Sequence, residues 1–224
     1  MPSSSPFQIS QVVNWIIYLK PSKVLDIGIG NGKYGFLCRE ALDTPHEEIP
    51  NRITVHGIEG FESYITDVHR LIYDKIFIGN GVDILKDHPE QYDLVLLIDV
   101  IEHLDKNTGM HFLERLLEIS KNVIVTTPYG YVPQDDVFGN DFEVHRSGWV
   151  EKDFRNFEGA LIKKIDYQII SLLGKDTAKV KEATFRYKLS RQIAYNKLIR
   201  PFFKAARFVG LIRIPIIRKL FRQQ

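Results

Sequence analysis

The chain is predicted to fold as an α/β domain around a mostly parallel sheet, and three observations carry that expectation. Short apolar, β-branched runs alternate with longer segments at helical spacing. The first run, Val24-Leu-Asp-Ile27, leads straight into Gly28-Ile-Gly-Asn-Gly32 and a helix-like segment. A later run, Tyr92 to Ile98, is apolar throughout, as a strand buried on both faces requires.

The elements follow in order. Residues Gln8 to Leu19 place Ile9, Val12, Val13, Ile16, Ile17 and Leu19 at helical spacing, and Pro21 stops the pattern before strand one, Val24 to Ile27. Lys33 to Leu42 reads as helix, 43 to 51 as a polar connection holding two prolines, and Arg52 to Ile58 as an alternating strand ending at Glu59. Tyr64 to Tyr73 reads as helix, Lys75 to Ile78 as strand three and Tyr92 to Ile98 as strand four, ending at Asp99. Met110 to Ile119 is an amphipathic helix, and Asn122 to Thr126 is strand five, closed by Pro128. A loop rich in Gly, Pro, Asp and aromatics extends to about Trp149, a length that usually signals function or disorder. Leu161 to Leu172 and Thr184 to Leu189 read as two strands joined by Gly-Lys-Asp, giving an antiparallel strand at the sheet edge.

With 224 residues, 44% hydrophobic and 12% aromatic, the chain can bury one substantial core. The single Cys38 excludes an internal disulfide framework and a cysteine zinc site. The opening Met-Pro-Ser-Ser-Ser-Pro lacks a basic segment followed by an apolar run, and no segment reaches about 18 uninterrupted apolar residues. A cytoplasmic location is therefore expected, with peripheral attachment at the inner membrane face left open by the tail described below.

Glycines 28, 30 and 32 allow a tight turn and expose backbone amides at a helix N-terminus, a site that favours polar or anionic ligands. The loop reads as a nucleotide-type cofactor site. Its register is open at this point, because Gly30, Gly32 and Gly35 also satisfy the dinucleotide pattern G-x-G-x-x-G, which alone is a weak signal. That register would make the chain an NAD-dependent oxidoreductase.

Taken together, Val24 to Gly32, Glu59, Asp83 and Tyr92-Asp-Leu-Val-Leu-Leu-Ile-Asp-Val-Ile-Glu-His-Leu104 resemble the class I S-adenosylmethionine-dependent methyltransferases, over about residues 8 to 190. The resemblance implies a Rossmann-like, mostly parallel seven-stranded sheet with helices on both faces, S-adenosyl-L-methionine as cofactor, and domains at 1–190 and 191–224. The distance from Asp26 to Glu59 is longer than usual, and the connection at 43 to 51 accounts for it. On this reading Glu59 accepts the ribose hydroxyls, Asp83 accepts from the adenine amino group with Val82 or Ile84 against the ring, Asp26 orients the glycine loop (Gly28, Gly30, Gly32) and the ammonium end, and Asp99 lies beside the methionine part.

Glu102 and His103 resemble the Glu-His pair common after strand four in small-molecule O- and C-methyltransferases. The Asn- or Asp-Pro-Pro-aromatic sequence of amino-methylating DNA enzymes is missing there, which argues against base methylation. Asn140-Asp-Phe-Glu-Val-His-Arg-Ser-Gly-Trp149 resembles the acceptor-side loop of methyltransferases of glycan and other small-molecule pathways. Alternation in an extended segment would put Glu143, His145 and Ser147 on one side, able to hold a polyol and remove a hydroxyl proton. His145 is the first candidate for base and His103 the second, with a purely structural role for either as the competing reading. Metal dependence is not expected. Asp99 and Asp136 offer hard oxygen ligands, but the Asp-Asn pair of metal-dependent O-methyltransferases is replaced after strand five by Thr126-Thr-Pro-Tyr129.

The net charge of +2 hides an asymmetry: all 28 acids lie in residues 1–182, and residues 183–224 hold 11 basic residues and no acid. Lys197, Arg200, Lys204, Arg207, Arg213, Arg218, Lys219 and Arg222 sit among Leu, Ile, Phe and Val, broken by Pro201 and Pro215. Such a basic, helical extension suits an anionic membrane, packing on the domain, or a homodimer contact, whereas nucleic acid is not expected as a partner. The expected activity is methyl transfer to the oxygen of a sugar, glycolipid precursor or other hydroxylated small molecule. A non-catalytic cofactor-binding scaffold tethered by its tail is the alternative outside enzymology.

Overall fold

The computed structural model describes residues 3–43, 52–137 and 139–195. Among the described residues there are seven strands: β1 Lys23–Ile27, β2 Thr54–Glu59, β3 Lys75–Ile78, β4 Tyr92–Ile98, β5 Ser120–Pro128, β6 Leu161–Ile165 and β7 Gln168–Gly174. They form one sheet in the order β3-β2-β1-β4-β5-β7-β6. The helices are α1 Ile9–Leu19, α2 Lys33–Leu42, α3 Asp67–Ile72, α4 Gly81–Lys86, α5 Lys106–Glu118, α6 Glu151–Phe154 and α7 Thr177–Tyr195.

Strands β1 to β5 are mutually parallel, with Ile27 opposite Ile58 of β2 and Leu97 of β4. The strand order reverses between β1 and β4, which opens a crevice beyond their C-terminal ends, the place where open α/β sheets bind ligands. Leu94 to Leu97 of β4 are fully buried. The core on one face of the sheet joins Leu25, Val95, Leu97 and Val123 to Phe112, Leu113 and Leu116 of α5 and to Trp149 and Phe154. At roughly 2 kcal/mol for each large apolar side chain, these contacts hold the ends of β1 and β4 in register.

Local chemistry sets the element ends. Helix α1 stops at Lys20, whose φ of 51° and N–H bond to the Ile16 carbonyl form a left-handed cap before Pro21. Asp105 starts α5 by accepting from the Thr108 amide at 3.0 Å, four residues earlier than the apolar pattern alone indicates. The segment 64 to 73 is not one helix: Thr66, bonded to His69, caps a shorter α3.

One strand was misread. The residues Thr184 to Leu189 are helical, inside α7, where Glu182 pairs with Arg186 one turn on. The edge hairpin lies wholly within residues 161–174, folding back at Asp166, which takes a φ of 53°. The reversed strand is β7, inserted between β5 and β6, so the edge strand β6 runs parallel to β5.

The sheet and its helices form a compact unit ending at Ala178, and Lys179 begins a second. Position 190/191 lies inside α7. The basic residues from Lys197 onward lie outside the described residues. Among the described residues no helix is long and apolar enough to cross a membrane.

Candidate active site

A cavity of about 430 Å³ opens over the C-terminal ends of β1, β2 and β4. Its floor is the loop after β1. Gly28, Gly30 and Gly32 all adopt positive φ, at 72°, 50° and 75°. A Cβ on Gly28 would come within 2.5 Å of Val100 Cγ2, so the loop lies against the segment after β4 with no room for a side chain. Gly35, the last glycine of the alternative register, sits inside α2 with Tyr73 where its Cβ would be.

Two buried carboxylates lie at the strand ends beside this loop, and one of them bonds it. Glu59 ends β2, is buried, and accepts from the amides of Gly30 at 3.1 Å and Phe61 at 3.0 Å. Burial raises its pKa, against the pull of those amides. Asp26 is 2% exposed and accepts the Tyr73 hydroxyl at 2.7 Å. Burial pushes its pKa to about 7, with the Tyr73 bond opposing the shift and the Glu59 charge adding to it.

Asp99 follows β4 in a left-handed conformation, φ 52°. One of its oxygens accepts from the Ser5 amide at 3.1 Å and Gln8 Nε2 at 2.9 Å, and the other from Thr126 Oγ1 at 2.6 Å. Lys33 Nζ donates to the Ser4 carbonyl at 2.8 Å, so residues 3 to 5 form a wall of the cavity. Desolvation raises the Asp99 pKa.

After β3, Asn80 caps α4 by accepting from the Val82 amide at 2.9 Å. Asn80, Gly81 and Val82 line the cavity, while Asp83, one residue on in the first turn of α4, is exposed and outside the lining. The sequence pointed to Asp83 because the short helix was not visible in it.

The other wall is made after β4 and β5. Glu102 and His103 form a 3-10 turn, and Gln134, Asn140, Phe142, Glu143 and His145 come from the long loop. That loop is closed at its base, where the Gly130 amide donates to the Trp149 carbonyl at 2.7 Å. Its tip packs on the cofactor side, since a Cβ on Gly60 would meet the Phe142 ring at 3.0 Å. The segment is not extended: Asp141–Glu143 is a 3-10 turn capped by Asn140. Glu143 and His145 therefore reach the cavity, whereas Ser147 is buried and accepts Trp149 Nε1 at 2.9 Å. Trp149 is a core residue.

His103 and His145 meet edge to face, centroids 4.8 Å apart. Burial, with the His145 ring beside it, lowers the His103 pKa to about 4, the carbonyls of Val144 and Asp99 opposing, so His103 is neutral at pH 7. His103 Nδ1 faces the Val144 carbonyl at 3.2 Å, and His145 Nδ1 the Val132 carbonyl at 2.6 Å. Glu102 is 2% exposed, and its Oε2 has no hydrogen-bond partner. Burial and the neighbouring Asp99 charge hold its pKa well above the usual carboxylate range.

The sheet order, the crevice at the strand reversal, the bare glycine loop and the acid ending β2 make a Rossmann-like methyltransferase fold. The chain is a methyltransferase and uses S-adenosylmethionine; the close approach at Gly28 and the cavity above it suit that ligand. Comparisons agree. The chain is 24% identical over 208 residues to proteins named ubiquinone biosynthesis O-methyltransferase from Pseudomonas savastanoi pv. phaseolicola and Pseudomonas syringae pv. syringae, covering 86% of this chain and 84% of each relative. A methyltransferase structure from Archaeoglobus fulgidus shares the fold at TM-score 0.55 and 16% identity, over 74% of this chain and 92% of that one. The N-terminal domain of EvdMO1, crystallised with S-adenosylhomocysteine and D-fucose, does so at TM-score 0.53 and 11% identity, over 77% and 84%. No protein-family model matches the chain.

Proposed function

We propose that the enzyme methylates a hydroxyl oxygen of a small hydroxylated molecule such as a sugar or glycolipid precursor. The observation that carries this reading is the convergence of Glu102, His103 and His145 on the cavity wall facing the glycine loop, beside the hydrogen-bonding side chains of Gln134, Asn140 and Glu143. The naming of the Pseudomonas relatives as O-methyltransferases supports oxygen as the acceptor atom.

Bound S-adenosylmethionine supplies a methyl group already activated on a sulfonium, and the chain's own residues supply position and proton transfer. Glu59 would receive the ribose hydroxyls on the lone pairs its two amide bonds leave free, Asn80 and Val82 would flank the adenine, and Asp26 and Asp99 would hold the loop and the amino acid end. A neutral imidazole would take the acceptor's proton, His145 being the more exposed of the two. The basic residues of 183–224 would rest on an anionic membrane surface, which co-sedimentation with anionic liposomes at low salt tests.

The deciding experiment is calorimetric titration with S-adenosylmethionine, S-adenosylhomocysteine and NAD, with Glu59→Ala as control, followed by labelled-methyl transfer to a panel of polyols and phenols. Micromolar binding of the first two ligands, weakened by the substitution, and transfer to a hydroxyl are expected. Absence of S-adenosylmethionine binding would overturn the reading, and so would transfer to nitrogen alone.

A further inference from the structure

We propose that Glu102, His103 and His145 hold a divalent transition-metal cation on the acceptor side of the cavity. The proposal rests on the hydroxyl-methylating reading of the same site and changes how the hydroxyl is activated. One donor atom from each of the three side chains lies within 4.8 Å of the other two, close enough for a single ion to bind all three after small rotations.

Three features separate this cluster from ordinary neighbouring polar groups. Glu102 lines the cavity, yet it is 2% exposed and its Oε2 is buried without a well-formed hydrogen bond, the Thr127 hydroxyl being a neighbouring side-chain donor, an arrangement that favours a counter-group. Each imidazole turns Nδ1 to a backbone carbonyl, of Val144 for His103 and Val132 for His145. A carbonyl only accepts, so the Val132 contact favours the proton on His145 Nδ1 and the lone pair on its Nε2, the arrangement by which metal-ligating histidines are oriented, while His103 also meets the Asp99 carbonyl and would release that contact on binding. Asp99, by contrast, has both oxygens engaged by Ser5, Gln8 and Thr126, and stays outside the ligand set.

Two imidazole nitrogens and one carboxylate oxygen suit a first-row transition ion better than magnesium, which prefers oxygen throughout. Three protein ligands leave positions for an acceptor hydroxyl, as catalytic metal sites do. Coordination acidifies that hydroxyl: the O–H bond breaks, the electron pair stays on the metal-bound oxygen, and the proton leaves to solvent water. The imidazoles then serve as ligands, and neither needs to be the base.

The test is direct and needs no acceptor. Chelator-treated full-length protein is titrated with Mn²⁺, following loss of the free-ion resonance signal, and with Co²⁺, following its visible absorption, while S-adenosylmethionine affinity is measured in parallel. Saturable uptake is expected, weakened about tenfold or more by His145→Ala and by Glu102→Gln, and unchanged by Asp136→Asn. Cofactor affinity should survive in the His145 variant, which shows that it is folded. No uptake, or uptake that His145→Ala and His103→Ala leave intact, overturns the metal and returns the hydroxyl to an imidazole base. Loss of S-adenosylmethionine binding by the wild type would instead overturn the methyltransferase reading, without touching the metal result.

Discussion

The two walls of the cavity satisfy their polar groups in opposite ways. On the cofactor side, Asp26 has Tyr73, Glu59 has two backbone amides, and Asn80 caps α4. On the acceptor side, Glu102 is as deeply buried as Asp26 but leaves Oε2 without a partner. The difference teaches that the carboxylates of one wall are bonded within the protein, whereas Glu102 on the other keeps a desolvation cost that a bound group can offset.

Substitutions on the two walls should therefore differ in size. The largest effect is expected at Asp26. Its pKa lies at about 7 in the fold against 3.8 for the ordinary group, so its contribution is full below 3.8 and is lost as pH rises to about 7. The span corresponds to ~4 kcal/mol. Asp26→Asn should remove that slope, read as the wild-type minus variant difference in urea midpoint from pH 4 to 8; parallel curves would show that Asp26 is not desolvated as described. Next is Gly28→Ala, which sets a side chain at φ 72° against Val100 and should cost ~3 kcal/mol of stability, with cofactor binding lost alongside.

Glu59→Gln keeps the shape of the side chain but replaces one acceptor oxygen by a donor facing an amide. It should weaken S-adenosylmethionine binding by ~2 kcal/mol in calorimetry. The smallest effect belongs to Glu102→Gln, and it runs with pH in the same direction as that of Asp26→Asn. Because burial and Asp99 raise the Glu102 pKa, the carboxyl loses stability as pH rises, and a neutral amide escapes that loss. Its unfolding midpoint should equal the wild type's at pH 4 and exceed it by ~1 kcal/mol at pH 8, while methyl transfer falls. A destabilised variant at pH 8 would erase the contrast between the walls.

The cofactor wall was readable in the chain because its parts are local: a strand, three glycines at fixed offsets, and an acid where the next strand ends. What escaped were its long-range partners. Tyr73 is 47 residues from Asp26, and Gln8 is 91 from Asp99, distances over which neither periodicity nor a motif carries information. Asn80 escaped for a different reason: a cap and a turn acid two or three residues apart look alike until the short helix α4 is seen. The strand at 184–189 was misassigned because Thr-Phe-Arg-Tyr-Lys-Leu alternates as a strand would, while its helical support, Glu182 with Arg186, starts outside that window. On the acceptor wall the residue types were recognised, but the meeting of His103 with His145 depends on how a loop from Gly130 to Trp149 folds back.

That loop leaves the sheet and returns to it at nearly the same point, its ends joined by the bond from Gly130 to Trp149. A segment closed in this way behaves as a cassette between those ends, resting on the body through Phe142 against Gly60 and the Arg146 and Ser147 amides on the Glu102 carbonyl. Residues can be exchanged or inserted between the two ends at a small closure cost, without moving the glycine loop or the acid of β2. Acceptor preference can in this way change by replacement of one loop, with the cofactor half of the enzyme left as it stands.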